Sequence, residues 1–504
     1  MLHRILHSLF LVPCSIFILY SCSLSKQISK QANTLITDSA VSKGFIGISI
    51  YDPATNTYLY NYNATKYFTP ASNTKLFSLY AGMKYLGDSL VGIKYSFLEN
   101  KKSNKRILAL YPTGDPTFMH PDFPNQPVLN FLQGNTNSFD GFCLEDSVWN
   151  EERLGKGWAW DDYNEDYMAE RSVLPIFGNI INISIDTNST NRNFDLSENR
   201  HPELRPSPLK YYLKTVPTYF EPLLNDYGSS EYFSGMFSPE LRKIKISRKF
   251  DANIFEFERS TSTFSNTIIP FYTPEDSNKY SLKHNLSLSS KILSSIINKE
   301  EIHFNFSLHK NGGAFIANGE YYGDYAFKKW GIIHSQPSDS LFIPMMHRSD
   351  NFFAEQTLLM VSNERLGYMN DEAIIDTLLA NDLKDIPQRP KWVDGSGLSR
   401  YNLFTPQAFI YILNKLRTEF GLSRLEHILP TGGQGTLNSY YLKDSGFIYA
   451  KTGTLSNNCA LSGFLLTNRG KLLIFSILAN HYQGGATPIR KATERFLEAI
   501  RRKY

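Results

Sequence analysis

A chain of 504 residues with 42% hydrophobic content has room for roughly three domains with cores of their own. Its 52 lysines and arginines stand against 48 aspartates and glutamates, a net charge of +4, which is too even to suit a long polyanion and excludes nucleic acid as a partner. Aromatic residues at 14% exclude a disordered or collagen-like chain.

The first 21 residues join a basic start, MLHR, to the apolar run LFLVPCSIFILY, and Leu19-Tyr20-Ser21 stand before Cys22. A small residue followed by cysteine after such a run is the pattern of a bacterial lipoprotein signal, although Tyr20 is bulky for its position. The alternative is an ordinary secretory peptide cut nearby. Cleavage before Cys22 and lipidation of its thiol tether the mature chain to a membrane leaflet, with residues 22–40 as a spacer. Only Cys143 and Cys459 then stay in the exported body. That allows one disulfide, excludes a disulfide framework, and reads more readily as two buried free thiols.

GFIGISI at 44–50 and Tyr58-Leu59-Tyr60, parted by a turn, predict two strands. In FTPASNTKLFSLYAGMKYLG, Leu76, Leu79, Met83 and Leu86 recur every three to four residues, an amphipathic helix with Ser72 in its first turn. The stretch 98–333 is irregular, with strand-like runs at Arg106–Tyr111, Ile180–Ile185 and Ile302–Leu308 and a low-complexity patch at 260–267. Helical patterns resume at Ser340–Met346, at Phe352–Met360 and after Thr405-Pro406. FIYAKTG, Leu461–Leu466 and Leu472–Ala479 predict an antiparallel meander of three strands. The tail TPIRKATERFLEAIRRKY supplies an amphipathic helix to cover one of its faces. The pattern is one domain in two parts, 41–97 and 334–504, around inserted domains at 98–333.

Three short elements carry the chemistry. Ser72-Asn73-Thr74-Lys75 places a hydroxyl and an amine three apart on a helix, on one face and within proton-transfer reach. Ser349-Asp350-Asn351 falls at the joint of two helices, and Lys451-Thr452-Gly453-Thr454 on a strand. Each alone is weak, and S-x-x-K by itself reads as a helix cap beside a solvated lysine. In this order the three form the signature of serine penicillin-binding proteins and β-lactamases. The 11 histidines contain no H-E-x-x-H, neither cysteine has ligand spacing, and GGQG at 432–435 lacks the context of a phosphate loop. No metal or cofactor is therefore expected.

With these motifs in place, the chain resembles the penicillin-binding protein 4 type of D-alanyl-D-alanine carboxypeptidase/endopeptidase, peptidase family S13. The likeness is carried by TPASNTKLF, TGDPTF at 113–118, GWAWDD at 157–162, HRSDNFFAEQ at 347–356, DGSGLSRYNLFTP at 394–406, LPTGGQGTL at 429–437 and YAKTGTLSN at 449–457. It runs from about residue 45 to the end. Ser72 and Ser349 stand 277 positions apart, which matches the long insertion of this family and not compact class A β-lactamases. The lipobox-like start departs from members exported with a simple cleaved signal.

The resemblance implies a transpeptidase-like α+β core of the β-lactamase/penicillin-binding protein kind, an antiparallel sheet flanked by helices, with mostly β inserted domains. It implies a serine D-alanyl-D-alanine carboxypeptidase acting on peptidoglycan stem peptides, inhibited by β-lactams, in the periplasm and anchored to the outer membrane; DD-endopeptidase action on cross-links stays open. Ser72 is the expected nucleophile and Lys75 its base, with Lys451 crowding Lys75 and pushing its pKa down. Ser349 relays a proton to the leaving amine, and Asn351 holds Lys75 and the substrate backbone. Lys451, Thr452, Gly453 and Thr454 form the strand edge that binds the substrate and its carboxylate, and the N–H groups of Ser72 and Thr454 form the oxyanion hole. Asp394-Gly395-Ser396-Gly397 reads first as a structural turn and second as a substrate contact. Trp158, Trp160, Asp161 and Asp162 read first as a packed loop. The competing readings are a β-lactamase or esterase on the same core, which turns over a β-lactam and releases little D-alanine, and a non-catalytic wall-binding protein indifferent to Ser72→Ala.

Overall fold

A computed structural model describes residues 26–100, 103–145, 147–186, 212–220, 244–260, 287–302 and 330–503, with short stretches at 264, 266–273, 305–309, 312–317 and 320–324. The expected signal, its cleavage point and Cys22 lie outside the described residues. The supposed spacer is structured: residues 26–36 are helical, and Ile28, Ala32 and Leu35 are buried in a core shared with the C-terminal helix. Their spacing of four and three makes one apolar stripe, which a solvated tether would leave in water.

In chain order, β1 (Phe45–Asp52) and β2 (Thr57–Tyr62) are followed by a 3₁₀ turn at Ala71–Thr74 and the helix Lys75–Tyr85. Next come β3 (Ser89–Glu99), β4 (Arg106–Pro112) and β5 (Gly141–Leu144). The short strands β6 (Ile180–Asp186), β7 (Tyr212–Val216), β8 (Ile244–Arg248), β9 (Phe255–Arg259), β10 (Thr267–Pro270), β11 (Asn305–His309), β12 (Gly312–Ala317) and β13 (Glu320–Asp324) make up small sheets. The chain returns through β14 (Gly331–Pro337), a run of helices, and then β15 (Ile448–Leu455), β16 (Asn458–Leu466) and β17 (Leu472–Asn480) before the helix Thr487–Lys503.

The main sheet has the order β15-β16-β17-β1-β2 and is antiparallel throughout, with Thr452 opposite Leu461 and Ile48 opposite Ile477. Its alternating residues divide between two cores, as period-two side chains must. Phe475, Ile477 and Ala479 face the two terminal helices, whereas Ile474 and Leu478 face the helical layer containing Leu76, Phe353 and Phe409. Each such large apolar side chain contributes about 1.5–3 kcal/mol by leaving water, so this two-sided burial fixes the register of β15 and with it the K-T-G motif.

A separate core lies under the insertion, around Leu108, Phe142, Ile181 and Ile292. Its four-stranded sheet, β14-β3-β4-β5, pairs Ile93 with Ile333, across the borders expected at 97/98 and 333/334. Leu90 belongs to the helical core and Ile93 to the inserted one, so the chain changes core near the start of β3. The insertion also carries helices at Pro127–Gly134 and Ser287–Ile297. Cys143 and Cys459 are buried and not joined in a disulfide, and among the described residues no helix is long and apolar enough to cross a membrane.

Candidate active site

The turn that carries Ser72 is clamped before it reaches the helix. The amide of Asn480, at the end of β17, brackets Thr69: Thr69 N–H donates to Asn480 Oδ1 at 2.8 Å, and Asn480 Nδ2 donates to Thr69 O at 3.0 Å. Asn73 Nδ2 donates to Ser462 Oγ on β16 at 2.7 Å. Ser72 therefore sits in the 3₁₀ turn Ala71–Thr74, one turn ahead of the helix Lys75–Tyr85, and not in that helix's first turn. The helix behind it is buried from Lys75 to Met83, which fixes the lysine rather than leaving it solvated.

Lys75 Nζ is within hydrogen-bond distance of three oxygens: Ser72 Oγ at 2.9 Å, Asn351 Oδ1 at 2.6 Å and the Ser396 carbonyl at 2.7 Å. Burial lowers its pKa to about 8, against the opposing pull of Asp394, Glu355 and Asp350. Crowding by Lys451, the expected cause, is not the leading one: desolvation drives the Lys75 shift. Burial also pushes the Lys451 pKa well below the ordinary lysine value, with the charges of Lys75 and Arg490 adding to it, and repulsion between two ammonium groups disfavours the charged form of both.

Ser349 occupies a left-handed conformation, φ 63°, between the helices Ser338–His347 and Asn351–Leu366. Asp350 caps the second helix by accepting from Phe353 N–H at 3.0 Å, and this places Ser349 and Asn351 on the cleft side. Lys451 Nζ donates to Ser349 Oγ at 2.8 Å and to the Thr452 carbonyl at 2.8 Å. Asn351 Nδ2 donates to the Tyr167 carbonyl from the insertion at 2.9 Å. Thr452 and Thr436 share a hydroxyl contact of 2.8 Å, and Arg490 Nη2 donates to Thr454 Oγ1 at 2.6 Å. Gly453 is required by close approach: a Cβ there would lie 2.6 Å from the Pro70 carbonyl and 3.1 Å from Ser72 N. All three motifs thus meet in one cleft.

The Asp394–Gly397 segment is a structural turn that also acts on the site. Asp394 is fully buried and accepts from Ser399 N–H at 2.6 Å, Gly397 N–H at 2.9 Å, Asn402 Nδ2 at 2.7 Å and Trp158 Nε1 at 3.0 Å. Gly397 has φ +81°, and a Cβ on it would stand 2.0 Å from the Ala71 carbonyl, so no other residue fits beside the nucleophile turn. Trp158 packs as a loop residue should, but the carboxylate it satisfies is Asp394, not Asp161 or Asp162; Trp160 is 74% exposed.

Sequence reasoning did not single out Glu355, Arg171, the Ser396 carbonyl or Arg490. Glu355 Oε1 accepts from Ser396 N–H at 2.7 Å, and its pKa rises to about 8, chiefly through burial. Arg171 Nη1 lies 3.6 Å from Glu355 Oε2 and 2.6 Å from Asp371 Oδ2. Helical spacing inside HRSDNFFAEQ was a usable signal for Glu355, since Asn351 and Glu355 are four apart on one face. A main-chain carbonyl gives none.

The sequence profile of the D-Ala-D-Ala carboxypeptidase 3 (S13) family matches residues 28–201 and 331–500. The chain is similar to a D-alanyl-D-alanine carboxypeptidase of Actinomadura sp. (strain R39), 23% identical over 490 residues covering 91% of this chain and 82% of the relative. A carboxypeptidase DacB of Mycolicibacterium smegmatis is 32% identical over 162 residues, 30% of this chain and 35% of that protein. Among solved structures, penicillin binding protein 4 (dacB) from Haemophilus influenzae superposes with a TM-score of 0.64 at 18% identity, covering 94% of this chain and 99% of that one. That likeness establishes the transpeptidase-like α+β fold with its inserted β-rich parts.

Proposed function

The chain belongs to the D-Ala-D-Ala carboxypeptidase 3 (S13) family of serine peptidases, and from that premise we propose how its residues hydrolyse the terminal D-alanyl-D-alanine bond of peptidoglycan stem peptides. The observation that carries the assignment is Lys75 Nζ held between Ser72 Oγ and Asn351 Oδ1 at 2.9 and 2.6 Å.

Neutral Lys75 takes the Ser72 proton as Oγ attacks the scissile carbonyl. The N–H groups of Ser72 and Thr454 hold the resulting oxyanion, each such donor being worth about 3–4 kcal/mol in the transition state. Ser349, supplied by Lys451, delivers a proton to the departing amine. D-Alanine leaves, the acyl group stays on Ser72, and water attacks the ester by the same relay in reverse. Asn351 fixes Lys75 and presents its amide to the peptide backbone, which pairs along the open edge of β15. Opening of a cross-link is the same chemistry with a larger leaving group. A β-lactam amide acylates the same Ser72. The apolar run before Cys22 supports export to the periplasm and attachment to the outer membrane through a lipid on that thiol.

The test is mass spectrometry of purified wall peptides after incubation, with Ser72→Ala as control. The expected result is loss of one D-alanine from pentapeptide, absent in the variant. Pentapeptide and cross-linked dimer left intact, under conditions where a fluorescent penicillin labels Ser72, would sink the assignment.

A further inference from the structure

The mechanism needs a cation for the free carboxylate at the end of the substrate, and the lysine of the K-T-G motif is turned away from that task. Lys451 is fully buried, and its ammonium donates inward to Ser349 Oγ and to its neighbour's carbonyl. On β15 the side chains of Thr452 and Thr454 share the opposite face from Lys451 and Gly453. The cation on that face is Arg490, in the first turn of the helix Thr487–Lys503, whose Nη2 donates to Thr454 Oγ1 at 2.6 Å.

The neighbours of Arg490 are neutral: it donates to the Thr454 hydroxyl, it lies near the Cys459 thiol, whose pKa burial raises, and its guanidinium carbon stands 5.9 Å from the centre of the Tyr440 ring. Among the described residues it has no ion-pair partner, whereas Arg495, Arg501 and Arg502 of the same helix pair with Asp38, Asp444 and Glu498. Arg490, Tyr440, Thr436 and Thr452 also line one hollow, which brings the guanidinium and the Thr452–Thr436 hydroxyl pair to the same side of β15. A substrate whose scissile oxygen meets Thr454 N–H carries its terminal carboxylate one residue further on, about 3.3 Å of strand rise.

We propose that Arg490 is the specificity residue for the free terminal carboxylate, binding it together with the hydroxyls of Thr452, Thr454 and Thr436. The inference rests on the peptidase reading above. A planar guanidinium suits a carboxylate better than a lysine ammonium does, because its paired N–H groups match both oxygens.

The experiment compares a peptide ending in D-alanyl-D-alanine with the same peptide as its C-terminal amide, measuring kcat/KM for both with wild-type enzyme, Arg490→Gln and Arg490→Lys. The expected outcome is an acid-to-amide ratio that falls about 10- to 100-fold in Arg490→Gln, the loss of a charge-assisted pair, and takes an intermediate value in Arg490→Lys. An unchanged ratio in either variant overturns the inference, including the case where both rates fall together, which marks a residue that only positions β15. A wild-type enzyme that cleaves neither peptide refutes the peptidase reading itself and removes the basis for this role; cleavage by wild type with an indifferent Arg490→Gln refutes Arg490 alone.

Discussion

The proposed mechanism makes Lys75 set the acid limb of the pH profile. A base acts only when neutral, and burial lowers the Lys75 pKa from 10.5 to about 8. At pH 7 a lysine with that pKa is neutral roughly one time in ten, against roughly one in three thousand at the ordinary value, so burial enlarges the competent population about 300-fold. The second-order rate of Ser72 acylation by a fluorescent penicillin therefore rises about tenfold per pH unit below 8 and levels off above it. Asp350→Asn gives an independent check. Asp350 holds the Lys75 pKa up, and asparagine still caps the helix, so the limb moves to lower pH in the variant. The same shift has a stability consequence with a defined sign. The folded pKa lies below the unfolded one, the unfolded chain binds more protons between pH 8 and 10.5, and stability rises with pH across that window by about 3 kcal/mol from this group. A rate that is flat through pH 8, a limb near 10.5, or a limb moved upward by Asp350→Asn would each refute the assignment of Lys75 as the base.

Two further substitutions separate chemistry from scaffold. Gly453→Ala forces its Cβ to within 2.6 Å of the Pro70 carbonyl and pushes β15 off the nucleophile turn. Acylation is expected to slow about 100-fold, the usual consequence of a displacement near 1 Å, with the thermal midpoint little changed; an acylation rate within threefold of wild type contradicts the close packing. Arg171→Met leaves Glu151, Glu355 and Asp371 without their shared cation; because burial raises the Glu151 and Glu355 pKa values to about 7 and about 8, urea unfolding at pH 9 should show about 3–5 kcal/mol of lost stability and a smaller loss at pH 6, where both carboxyls take up protons. A loss under 1 kcal/mol at pH 9 would refute the role of Arg171 as their shared cation.

The meeting of the three motifs was legible because the proposed chemistry constrains residue type at fixed spacing. Ser72 and Lys75 share a turn, Ser349 and Asn351 flank a helix start, and Lys451 sits on a strand, so each left a short string in the sequence. The supports of those groups left little. Lys75 is held by the Ser396 carbonyl, a group every residue possesses. Arg171 meets Glu355 from 184 positions away and Asp371 from 200, and no local pattern encodes such a pairing. The helix at 26–36 went unread because three apolar residues in a polar stretch look like a solvated spacer until a partner helix covers them. How far the Lys75 pKa falls depends on carboxylates beside it, and Asp394 and Glu355 enter from separate segments.

Those long-range supports bear on what the insertion is for. Three groups of the catalytic half take their partners from it: Asn351 Nδ2 donates to the Tyr167 carbonyl, Asp394 Oδ2 accepts from Trp158 Nε1, and Glu355 Oε2 faces Arg171. Two of the three are buried carboxylates, which are costly without a donor or a cation, and the third positions the amide that holds Lys75. A β-lactamase-sized core cut free of residues 98–333 would therefore lose more than a substrate-shaping lid. It would take one donor from Asp394, which keeps Ser399, Gly397 and Asn402, and the Arg171 cation from Glu355, and both carboxylates act on the Lys75 pKa. The inserted domains reach Lys75 at one remove: the charges that act on it are Asp394, Glu355 and Asp350, and two of these, Asp394 and Glu355, take a partner from between the two halves of the sheet.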